Sequence, residues 1–122
     1  MNAPDRFESF ILGPDEKKIE EKIDTRMANT SYFHFNKEDH TLANLLRSKL
    51  LSSEHVLFSA YRVPHPVFPT FELRVQTDGT ISPKEALLAA CRNLVKDLNE
   101  FAGEFKREYE LRKMVGQDQN GI

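Results

Sequence analysis

The sequence predicts an α+β fold: a two-layer sandwich with a mostly antiparallel four-stranded sheet, element order ββαββα, and both helices on one face. The last helix is long. Three observations predict this. Residues 29–36 and 71–76 alternate apolar and polar side chains with the period of a half-buried strand. The stretches after Asp39 and after Ser82 instead carry apolar residues at three- and four-residue spacing. The connections between these segments are short, so consecutive elements lie side by side, which favours an antiparallel sheet with its helices gathered on one side.

At 122 residues the chain has room for one core. It divides into an extended arm (1–16), a single domain (17–115) and a flexible tail (116–122). In the arm, Pro4, Gly13 and Pro14 break regular structure, and the cluster Phe7, Phe10, Ile11 and Leu12 is expected to dock somewhere. Residues 17–24 place apolar groups only at Ile19 and Ile23 and read as a weak edge strand. In 29–36, Ser31, Phe33 and Phe35 share one face, Tyr32 and His34 the other. Asp39 is placed to cap the first helix, whose stripe is Leu42, Leu45, Leu46 and Leu50; Ser52 and Ser53 close it. Residues 55–63 have apolar groups on both faces and are expected to be covered on both. Three prolines between Pro64 and Pro69 exclude helix and central strand. Phe71, Leu73 and Val75 then alternate with Glu72, Arg74 and Gln76 in the cleanest strand of the chain, and a turn follows at 77–80.

The second helix opens with Ser82 as cap, Pro83 at the first helical position and Glu85 three residues after the cap. Its stripe runs through Leu87, Cys91, Leu94, Leu98, Phe101, Phe105 and Tyr109. Roughly 30 residues of helix span about 45 Å, more than the ~35 Å diameter of a compact domain of this size. An apolar stripe that outruns its own sheet marks an association surface, and its four-three spacing suits helix-on-helix packing.

Composition narrows the function. The net charge is −2 and 30% of residues are charged, with a pI of about 6.1. That balance argues against a basic nucleic-acid-binding domain. The apolar fraction is 39%, so the core is modest and the chain is expected to lean on a partner. The apolar runs fall far short of the ~20 residues of a spanning helix, the first residues lack a secretory pattern, and one cysteine forms no internal disulfide; a soluble, reducing, intracellular setting is expected. No two of His34, His40, His55 and His65 have the spacing that sets two metal ligands on one helix face. Cys91, within the apolar stripe, reads as inert buried packing. No phosphate-binding glycine loop, nucleophile elbow or paired-carboxylate motif is present, so no catalytic residue, metal or cofactor is assigned. The densest polar cluster, Lys37-Glu38-Asp39-His40-Thr41, is explained as a helix start.

The stretch from Lys37, Glu38, Asp39, His40, Thr41 and Leu42 through Asn44 to Arg47 resembles the signature of the alpha-like subunits of cellular RNA polymerases. A second block, Phe58 to Pro66 with Tyr61, His65 and Pro66, is similar to the small alpha-like subunits in particular. The opening Met1–Glu8 resembles the polymerase II branch, the eleventh-subunit family, related to archaeal subunit L and the dimerisation domain of bacterial alpha. The sequence departs from the family at Ala43, often glycine, and at Ser48, where bacterial alpha has a second arginine. The resemblance implies a non-catalytic subunit that pairs with a larger alpha-like subunit through its first and last helices. The pair is then the platform for the two catalytic subunits, with this member facing the largest. It also implies a nuclear protein without direct contact to nucleic acid or membrane. The interface residues it suggests are Leu42, Leu45, Leu46, Leu50, Leu94, Leu98, Phe101, Phe105 and Tyr109. Two other classes compete. A pterin-dehydratase-like enzyme of similar topology would need His34, His40 and His65 to converge, and a homodimeric binding domain would need only a second copy.

Overall fold

The structure is a computed structural model that describes residues 3–120, with side chains through Gln117. The elements are β1 (Ile19–Ile23), β2 (Thr30–Asn36), α1 (His40–Leu51), β3 (Val56–Arg62), β4 (Thr70–Thr77) and α2 (Pro83–Asn120). The four strands form one sheet in the order β1-β2-β4-β3, and every pairing is antiparallel. The fold class is the predicted α+β arrangement. The described residues fall into two units, one ending at Ala90 and the other beginning at Cys91; α2 runs through both.

The first unit holds the core. Alternation in β2 and β4 turns Phe33, Phe35, Phe71, Leu73 and Val75 to one face, where they are buried with Ala43, Leu46 and Leu50 of α1 and Ala86, Leu87 and Ala90 of α2. Phe35 and Phe71 are register partners and stack, with ring centroids 4.5 Å apart. The α1 helix lies against β3 and β4. Ala43 is fully buried, so the structure accommodates a methyl group at this position.

The helix starts are the predicted ones. The Thr41 amide donates to Asp39 Oδ1 at 2.9 Å. Ser82 and Glu85 cap each other: the Glu85 amide donates to Ser82 Oγ at 3.2 Å, and the Ser82 amide to Glu85 Oε2 at 3.3 Å. In the turn before α2, Gly79 has φ +94°, and an added Cβ would lie 3.0 Å from the Asn29 side chain.

Three expectations are corrected. β3 is not covered on both faces: Val56 and Ser59 are buried, but Leu57 and Phe58 are exposed. A bulge between Val56 and Phe58 breaks the alternation, and β3 is an edge strand with a helix on one side only. Cys91 is exposed rather than buried. The α2 helix has 38 residues, continuing past Gly116 to Asn120 where the tail was expected to begin; glycine weakens a helix, but no proline follows to stop it. In the arm, Phe7, Phe10, Ile11 and Leu12 surround a 3₁₀ turn at Arg6–Ser9 and are exposed in the chain alone. Residues 1 and 2 of the arm, and 121 and 122 of the tail, lie outside the described residues.

Candidate subunit interface

The two sequence blocks meet in the first unit. Lys37 leaves β2 at φ 60°, and the amides of Lys37 and Glu38 both donate to the Pro69 carbonyl, at 2.7 and 3.2 Å. This turn aims the chain into α1. Lys18 Nζ holds it from the side, 2.8 Å from a Glu38 carboxylate oxygen and 3.2 Å from the Lys37 carbonyl. At the first position of α1, His40 Nδ1 lies 2.8 Å from the Tyr61 hydroxyl, and the two rings meet edge to face. Tyr61 in turn packs edge to face on buried Phe71. A histidine–tyrosine contact therefore joins the second block to the first, where α1 packs on β3. The contact spans 21 residues, and no local pattern announces it.

The rest of both blocks is local. His65 Nδ1 accepts from the Val67 amide at 3.2 Å, and its ring lies 5.1 Å from that of Phe68. Pro66 lines a cleft of about 580 Å³ with Asp39, His40 and Phe68. Asn44 Oδ1 accepts from Arg47 Nε and Nη2, at 3.0 and 2.8 Å along α1.

The predicted interface leucines of α1 divide. Leu46 and Leu50 are buried in this chain's own core, Leu42 is half-buried and Leu45 is exposed. The helical stripe is wide enough to face both inward and outward, and spacing alone does not separate the two sides.

The described residues of the second unit form a single helix whose apolar residues are largely exposed. Leu94 is half-buried, while Leu98 is 56% exposed, Phe101 71%, Phe105 64% and Tyr109 59%. Phe105 and Tyr109 stack one turn apart, with centroids at 6.3 Å. Cys91 shares the stripe, and partial burial pushes its thiol pKa up, so it is no activated nucleophile. Leu111, Met114 and Val115 are exposed as well.

The three histidines lie in different places. His34 contacts Asn36 Oδ1 at 3.1 Å and lines a cleft on the open sheet face, whereas His40 lines the cleft beside Pro66. His65 keeps to its own loop, so the three histidines an acid–base enzyme would need do not converge. Among the described residues no group of three His, Cys, Asp or Glu could hold a metal ion, and no helix is long and apolar enough to cross a membrane. The carboxyl groups of Asp39, Asp78 and Asp24 are held below the usual range, chiefly by the amides of Thr41, Thr80 and Arg26. Those are turn and cap contacts.

Residues 30–104 match the family described as the RNA polymerase Rpb3/Rpb11 dimerisation domain. The chain is 44% identical over 115 residues to the DNA-directed RNA polymerase II subunit RPB11 of Schizosaccharomyces pombe, an alignment covering 94% of this chain and 92% of the relative. It is 35% identical over 115 residues to the corresponding subunit of Dictyostelium discoideum, covering 94% and 96%. Its fold resembles the crystal structure of DNA-directed RNA polymerase subunit L from Thermoplasma acidophilum, with a TM-score of 0.61 and 21% identity over 77% of this chain and 92% of that one. An outward apolar helix, two sequence blocks joined at His40 and Tyr61, and these likenesses agree: the chain belongs to the RNA polymerase Rpb3/Rpb11 dimerisation-domain family.

Proposed function

We propose that the chain is a non-catalytic assembly subunit of DNA-dependent RNA polymerase II. It pairs with the larger alpha-like subunit, and the pair forms the platform on which the two catalytic subunits assemble for mRNA synthesis in the nucleus. Residues 17–115 act as the pairing domain, and the largest catalytic subunit is the neighbour of this member.

The observation that carries this reading is the outward stripe Leu98, Phe101, Phe105 and Tyr109 in a chain of a dimerisation family. Fully burying one such side chain is worth about 1.5–3 kcal/mol. Several on one helix face supply the apolar centre that a stable heterodimer requires. Leu45, and the exposed side of Leu42, add a second apolar strip on α1.

Co-expression with the larger alpha-like subunit tests the proposal. The chain alone self-associates or precipitates, and the partner brings it into a soluble pair of one copy each. A stable monomer at micromolar concentration that ignores the partner would overturn it.

A further inference from the structure

The sheet face opposite the core is uncovered, and Arg74 sits at its centre. Arg74 lies on β4 between its register partners Tyr32 on β2 and Ala60 on β3. Its guanidinium carbon lies 5.7 Å from the Tyr32 ring centroid and 5.4 Å from that of Phe58. The two rings hold the group in place. Its internal partners are weak. The carboxylate of Asp24 is 3.8 Å away, Nη2 also meets the Met27 sulfur, and buried Nε has no hydrogen-bond partner among the described residues. On the same face, Arg62 reaches Glu72 at 2.9 Å through both Nε and Nη2. A part-buried guanidinium whose carboxylate partner stands off at 3.8 Å and whose Nε is unsatisfied gains from an incoming carboxylate.

The surroundings fit an acidic visitor. The cleft, about 750 Å³, is lined by Lys22, Arg26, Arg62 and Arg74 against the carboxylates of Asp24 and Glu72. It is thus a cationic site on a chain of net charge −2. Ala60 beside Arg74 leaves room for a side chain, and exposed Phe58 offers an apolar wall.

We infer that this open face docks an acidic segment of a neighbouring protein, which sets a carboxylate against Arg74 and an apolar side chain against Phe58. Single-stranded nucleic acid fits less well. The guanidinium of Arg74 already lies against both the Tyr32 and Phe58 rings, which leaves no free aromatic platform for a base. The inference goes beyond the pairing proposal and does not need it, because the cleft lies on the sheet face turned away from α1.

Photo-crosslinking tests it on the full chain. Benzoylphenylalanine is installed at position Phe58 of the tagged protein in its native host. The assembly is purified with whatever it binds, irradiated, and the crosslinked peptide sequenced. The expected result is one peptide with at least two Asp or Glu within a few residues of the crosslink. Arg74→Met lowers the yield roughly tenfold, as loss of a charge-assisted hydrogen bond would, and Arg74→Lys keeps most of it. No crosslink, a crosslink to nucleic acid or to a neutral or basic peptide, or a yield indifferent to Arg74→Met would overturn the inference. The sequenced peptide decides with Arg74 intact, so a variant that failed to fold would not rescue it. Polymerase subunits missing from the purified assembly would count against the pairing proposal alone.

Discussion

Lys37 turns the chain through the left-handed region, where a side chain with a branched Cβ is strained by about 1–2 kcal/mol. Lys37→Val should therefore lower stability by about that much in a denaturant melt, while Lys37→Gly is tolerated. Tyr61→Phe removes the hydroxyl that meets His40. We expect a loss of about 0.5–1.5 kcal/mol, smaller in a His40→Ala background because the partner is already gone. The three depressed aspartates set a pH dependence. Their folded pKa values lie below the unfolded ones, so as pH falls the unfolded chain takes up protons first. Their contribution is complete at neutral pH and is lost as pH drops below about 4. The melting temperature of the paired protein should fall in that window, and Asp39→Asn with Asp78→Asn should flatten the fall. Asp39 and Ser82 were legible in the sequence because a cap is a local pattern of a few residues. The His40–Tyr61 contact was not, because only the pairing of β3 with β4 and the packing of α1 beside them bring those residues together.

The elements differ in the same way. β2 and β4 were readable because each is covered on one face and its alternation records that. β3 was misread because an apolar run looks identical whether a second layer covers it or not, and its bulge shifts the faces midway. In α2, spacing located the stripe but not the point where burial ends. Ala86, Leu87 and Ala90 are buried, whereas the stripe beyond them is exposed except for half-buried Leu94. Truncations at the two ends of this gradient should behave differently. Leu73→Ala, in the sheet core, should cost about 2–5 kcal/mol and unfold the subunit. Gly103 has nothing within 4 Å of an added Cβ and lies off the stripe. Gly103→Ala should stabilise the helix by about 0.5–1 kcal/mol and leave pairing unchanged, as read by circular dichroism and by co-purification. Ending the chain after Glu110 should likewise preserve pairing, because the stripe is complete at Tyr109.

At the scale of the whole molecule, a modest core and a long helix with an exposed apolar stripe describe a protein finished by its partner. Net charge −2 leaves little to neutralise phosphates, so the purified heterodimer should bind DNA negligibly at physiological salt; submicromolar, salt-sensitive binding would contradict that. Cys91 offers a footprint of pairing, since it lies on the stripe and is exposed in the chain alone; the partner should slow its alkylation. The most direct measurement is the dissociation constant of the heterodimer for Phe105→Ala against the parent chain, with Leu111→Ala, rotated about 120° away around the helix, as the control. Loss of a buried phenyl ring worth about 2–5 kcal/mol predicts pairing weakened by roughly 30-fold or more for Phe105→Ala and left intact for Leu111→Ala. Equal affinities for Phe105→Ala and the parent would mean that the outward stripe of α2 is not where the partner binds.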